Sequence, residues 1–129
     1  MFSGVNPLFD FENAENLKKG LESVKTKVSF STNPDETSSI CNYIIPDKHS
    51  FEKWNDFEID NGVFSFSQPL IESLFNSVQV EESLLHLIDK KISFYDYQRS
   101  IWQNKILPKY NSGFGFVTFW DKAVHDGLV

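Results

Sequence analysis

Arginine is nearly missing from this chain: Arg99 stands alone, and every other basic side chain of fixed charge is a lysine. Phosphate and base-edge recognition favour the guanidinium fork, and non-specific nucleic-acid binding needs a net basic surface. With a formal net charge of −6 and a pI near 4.9, direct nucleic-acid binding is not expected. Cysteine is almost as scarce. Cys41 is the only one, which excludes a disulfide within the chain and a metal site built on several thiolates. No apolar run approaches the ~20 residues that span a bilayer. Residues 1–7 lack the basic region and apolar stretch of a signal peptide. A cytoplasmic protein without membrane contact is the expectation. Also missing are the G-x-S-x-G elbow, the G-x-x-x-x-G-K-[ST] loop and the G-x-G-x-x-G fingerprint.

Aromatic residues are abundant. Thirteen Phe and three Trp in 129 residues supply enough buried area for a core without disulfide or metal support. The length fits one domain covering residues 1–129, with an extended lead-in over 1–10 and a polar tail over 121–129 as its mobile ends.

Phe11, Ala14, Leu17, Leu21 and Val24 recur at helical spacing behind Asp10 as N-cap, while Pro7 argues against an earlier helix. Gly20 weakens that helix. Val28 and Phe30 alternate with polar neighbours as in a strand. After a turn at 32–35, the run 40–45 reads as a second strand with Cys41 and Tyr43 on one face, closed by Pro46. A short helical turn over 50–55 precedes two alternating segments, 56–60 and 63–66. Asn61-Gly62 between them is a strong hairpin signal, since both residues tolerate the positive φ of a type I′ turn.

Ser67 then heads a predicted helix with Leu70, Ile71, Leu74, Phe75 and Val78 on its stripe. Glu81 and Glu82 open another that Lys90 and Lys91 close. Ser93 and Asp96 resemble a capping box for a third, with Tyr97, Ile101, Trp102 and Ile106 inward and Pro108 as its stop. Residues 111–113 break the chain before the run 114–120, which reads as a buried strand with Gly115 at a close approach. The expected class is α+β: a small antiparallel sheet with helices packed mainly on one face.

Catalytic and metal-binding patterns do not emerge. His49, His86 and His125 form no H-x-x-x-H pair, so no catalytic residue, metal ligand or cofactor is assigned. Asp56-x-Glu58-x-Asp60 begins like a calcium loop but has Asn61 where glycine is needed and Ser67 where the bidentate glutamate belongs. As a strand, the same segment places Asp56, Glu58 and Asp60 on one face, roughly 6.6–6.8 Å apart, and Phe57 and Ile59 on the other. That spacing is close to the spacing of phosphates along a nucleic-acid strand, so the ribbon suits a basic cleft. Solvated edge charges that prevent sheet-to-sheet pairing have the same pattern. Trp54 and Tyr95 lie beside charged residues and off the apolar stripes, so both are expected to be exposed interface anchors.

In profile, this short, acidic, arginine-poor, phenylalanine-rich chain resembles the bacterial immunity proteins that neutralise contact-dependent-inhibition and colicin-type toxins. The carboxylates Asp56, Glu58 and Asp60, the acids Glu81 and Glu82, and Trp54 carry the resemblance. It implies a non-enzymatic inhibitor of a cognate toxin, often a nuclease, whose basic surface meets these acids, with Tyr95 a further contact. Two alternatives stand beside it. One is a small adaptor or phage-type inhibitor of another protein. The other is a histidine-dependent hydrolase, which needs at least two of His49, His86 and His125 to converge with a carboxylate.

Overall fold

A computed structural model describes residues 1–110 and 113–129. Helix outweighs strand, 43% against 13%, and the described strands form two sheets of two strands each, so the class is α+β with a small sheet. The Cα trace divides into two compact units: Met1–Lys48 with Leu74–Val80, and His49–Ser73 with Glu81–Val129.

In the first unit the lead-in is not extended throughout. Pro7 starts a helical turn, Pro7–Asp10 (α1), because its missing N–H falls where a helix leaves donors unpaired anyway. Ahead of it, Phe2 donates to Val28 O at 2.9 Å and accepts from Phe30 N at 2.8 Å. The second helix, Ala14–Glu22 (α2), starts after Asn13 instead of Asp10, and the Asn13 side chain makes no capping hydrogen bond. Strands Val28–Ser29 (β1) and Tyr43–Ile44 (β2) pair in parallel, against the antiparallel expectation. The connection between them carries the helical turn Glu36–Ser39 (α3), and a crossover of this kind returns the chain in the same direction. The turn α3 also shortens the strand expected over 40–45. Asp35 Oδ1 accepts from Ser38 N at 2.6 Å while Ser38 Oγ accepts from Asp35 N at 2.8 Å, a reciprocal cap.

Burial in this unit is chiefly polar. Phe30 is its one fully buried apolar side chain, beside buried Ser29, Thr37, Ser38 and Gln79. Asn6 organises the packing: its Oδ1 accepts from Thr37 N and Thr37 Oγ1 at 3.2 and 2.7 Å, and its Nδ2 donates to Glu36 Oε2 at 2.7 Å.

The second unit begins with a 3₁₀ turn, Ser50–Glu52, capped by His49, whose Nδ1 accepts from Phe51 N. Strands Asn55–Asp60 (β3) and Val63–Ser67 (β4) form the expected antiparallel hairpin. Only Gly62 takes positive φ (80°), so the turn is not type I′. The helix expected after Ser67 is absent, and residues 68–79 run without helix or strand. Leu70, Leu74 and Phe75 remain exposed; an apolar stripe with nothing to bury it gives a short helix little reason to form.

Val80–Leu87 (α4), which starts on the last residue of the first unit, and Phe94–Ile101 (α5) match the expected helices. Asp89 closes α4 in the left-handed region (φ 60°), and Lys90 N bonds Leu85 O at 2.9 Å. Ser93 caps α5 as read from sequence. The helix continues through a π turn, Trp102–Ile106, and a 3₁₀ turn, Leu107–Lys109, so Pro108 lies inside the last turn.

The largest correction concerns 114–120. The segment is not a buried strand but the start of Phe116–Asp126 (α6). Phe116, Phe119, Trp120, Ala123 and Val124 follow helical spacing and pack on one core, while Gly115 and Gly127 bound the helix. No atom crowds a Cβ at Gly115, so the expected close approach is absent too. The tail is ordered by pairing: Phe64 and Val129 exchange backbone hydrogen bonds of 2.8 Å, and Phe66 N donates to Gly127 O. Trp102, Ile106, Phe119, Trp120 and Ala123 form the buried centre, with Phe64 and Phe66 of β4 packed against it.

Candidate functional site

The hairpin of the second unit carries the exposed groups most suited to binding. Directly paired residues of an antiparallel ladder share a face. Asp56 pairs with Phe66 and Glu58 with Phe64, so these two carboxylates lie on the face that carries the core phenylalanines. Phe57 pairs with Ser65 and therefore stands on the opposite, outer face, 55% exposed. The alternation read from sequence was right for residues 56–58, but Phe57 is exposed as well as Glu58, while Asp56 is half-buried.

This arrangement has an identifiable cause. Trp102 is completely buried, and its indole N–H needs an acceptor. Asp56 Oδ2 provides it at 2.6 Å. That requirement turns Asp56, and Glu58 with it, toward the core side and leaves Phe57 outside.

A bulge between Glu58 and Asp60 breaks the period. Asp60 pairs with Val63, two residues from Ser65, so it shares the outer face with Phe57 and Val63 and leaves the row of Asp56 and Glu58. Ile59, at the bulge, is 64% exposed. The expected three-carboxylate ribbon is thus broken twice, by the bond of Asp56 to Trp102 at one end and a bulge at the other. Glu58 Oε1 accepts from Gly62 N at 3.0 Å and Asp60 Oδ1 from Asn61 N at 2.7 Å, leaving one oxygen of each without such a bond. Among the described residues no lysine pairs with either. Tyr110 Oη donates to Gly62 O and pins the turn.

The remaining candidates are placed differently. Trp54 and Tyr95 are half-buried, not open anchors: their rings lie 4.8 Å apart, and both pack on Trp120 at 6.2 and 5.9 Å. The lone Arg99 sits with its guanidinium carbon 5.5–5.6 Å from the rings of Tyr95, Phe116 and Trp120, so it serves this aromatic cluster. Glu82 Oε1 accepts from Phe94 N at 3.1 Å. Glu81 Oε2 is buried without a partner among the described residues.

His86 and Glu82 line an open cleft of about 570 Å³ with Lys91, Ile92 and Ser93; neither His49 nor His125 lines it. The Ser93 hydroxyl there accepts from Asp96 N and donates to Asp96 Oδ2 at 2.7 Å, and so is engaged in capping. His125 is exposed, with Nδ1 2.9 Å from Asp126. Among the described residues no three His, Cys, Asp or Glu side chains gather as a metal site.

A second cleft, about 450 Å³ in the first unit, is lined by Phe2, Phe30, Asp10, Asp35 and Asp47 among others. Its acids also serve the fold. The Ser38 amide holds the Asp35 carboxyl below the usual range, and Asp47 Oδ1 accepts from Lys48 N and Val80 N. Burial raises the Cys41 thiol pKa, and its Sγ donates to Thr37 O at 3.3 Å, which makes it a poor nucleophile.

The sequence reading missed Phe57 and Ile59 as displayed side chains. The signal available was the buried tryptophan, whose N–H must find an acceptor on a neighbouring strand. No protein-family model matches this chain, and no curated protein matches it. No described helix is long and apolar enough to cross a membrane.

Proposed function

We propose that this chain is a protein-binding inhibitor of the immunity type, which neutralises a cognate toxin, foremost a nuclease, by meeting its basic surface. The observation that carries the reading is the hairpin: Glu58 and Asp60 are held by the turn amides, free of lysine partners among the described residues, on a chain of net charge −6. Fixed negative charge accelerates encounter with a basic cleft and penalises wrong partners. Asp56, Glu82, Trp54 and Tyr95 make internal contacts instead.

The test is co-expression with the protein encoded by the neighbouring reading frame. This chain should restore growth to cells poisoned by that protein, and the purified pair should bind with an affinity that falls as salt rises. Absence of poisoning, or poisoning that this chain does not relieve, would discard the reading.

A further inference from the structure

We infer that the outer face of the β3–β4 hairpin, centred on Phe57 and Ile59, is the surface on which the partner docks, and that the partner presents an apolar pocket rimmed by lysine or arginine. This rests on the inhibitor reading and adds the anchor that the charges alone do not provide.

Two observations converge on this face. Phe57 and Ile59 are both more than half exposed although they belong to a strand whose other side abuts the core. Phe57, on the paired part of the strand, loses little backbone freedom on binding, and buried aromatic anchors dominate interface energetics; Ile59 adjoins it at the bulge. The acids beside them supply the second requirement. Asp60 shares the face, Glu58 stands between Phe57 and Ile59 in sequence with its side chain on the face opposite Phe57, and each has an oxygen not taken by the turn amides. An apolar centre with an acidic rim selects a partner of opposite pattern.

The charge argues against the other occupants. Two copies of the hairpin packed by their outer faces would each bring the like charge of Asp60 into the contact. Pairing along the free edge of β3 is hindered by the bulge and the same acids. Other exposed apolar groups are placed differently: Leu84, Leu87 and Ile88 near the end of α4 lie beside His86, Lys90 and Lys91 as well as Asp89, and Leu70 and Ile71 lie on a segment without helix or strand.

The test uses the full chain and, as purified partner, the toxin whose poisoning it relieves in the co-expression test. Phe57→Ala with Ile59→Ala should weaken binding at least about 30-fold, the loss expected for a central anchor. Both side chains are exposed, so the circular dichroism spectrum and unfolding midpoint should stay close to wild type. Phe57→Leu should retain most of the affinity. Glu58→Gln with Asp60→Asn should slow association and flatten its salt dependence. A photo-crosslinking residue at position 57 should capture the toxin, and one at Phe9, exposed in the first unit, should not. If wild type neutralises the toxin and the double alanine variant does so equally well, the docking face is wrong and the inhibitor reading stands. If wild type fails to neutralise, both fall. Crosslinking at 57 to a second copy, with dimerisation in sedimentation, would also overturn the assignment.

Discussion

The two compact units are held together by different chemistry. The second closes around an aromatic centre in which Trp102 meets Phe66, Trp120 and Phe119 at ring separations of 4.1, 5.8 and 6.0 Å. The first buries one large apolar side chain, Phe30, and otherwise relies on directed hydrogen bonds from Asn6 and Asp35. Apolar contacts are numerous and individually weak, whereas a buried hydrogen bond is worth most by what its absence would cost. The units should therefore fail in different ways.

The largest effect is expected at the aromatic centre. Trp102→Ala should destabilise the protein by about 3–5 kcal/mol, read from the urea midpoint, with loss of near-ultraviolet ellipticity from the tryptophan cluster. A loss below about 1 kcal/mol would mean that the centre is not the main source of stability in its unit. Trp102→Phe sharpens the point, because it keeps much of the ring and leaves Asp56 without its donor.

In the first unit the corresponding lesion is polar. Asn6→Ala removes the acceptor of both Thr37 donors, and Thr37 is buried, so a loss of about 1–3 kcal/mol is expected despite the small change in volume. Amide exchange at Thr37 should accelerate. Wild-type stability and exchange would erase the proposed distinction between the units.

The cap at Asp35 adds a pH signature. Asp35→Ala should cost about 0.5–2 kcal/mol at neutral pH. Because the Ser38 amide lowers the folded-state pKa of Asp35 below its ordinary 3.8, this contribution is fully present above that value and is lost as pH falls through the depressed one. The gap between wild type and Asp35→Ala should thus close in acid. Asp35→Asn should keep a cap that does not titrate.

The smallest effect is a gain. Asp89 ends α4 with φ of 60°, a region that costs a side chain and suits glycine. Asp89→Gly should raise stability by about 0.5–1 kcal/mol in the second unit, measured by thermal unfolding.

Some elements were legible in advance because their signals are local. The hairpin at Asn61-Gly62, the cap Ser93 with Asp96, and the acidic opening of α4 each depend on residues only a few positions apart. The run 114–120 was misread because a short aromatic stretch fits strand and helix alike. The positions that decide it, Ala123 and Val124, lie beyond the run. The reverse error at 70–78 has the opposite cause: its stripe is helical, but no core receives it.

For the candidate surface the division is the same. Sequence alone determined that Asp56 and Glu58 would share one side of a strand and Phe57 the other, since side chains alternate along an extended backbone whatever surrounds it. Which side meets solvent is a property of the neighbours. For Asp56 it was decided by the indole of Trp102, 46 residues further along the chain, which is completely buried and takes Asp56 as its acceptor.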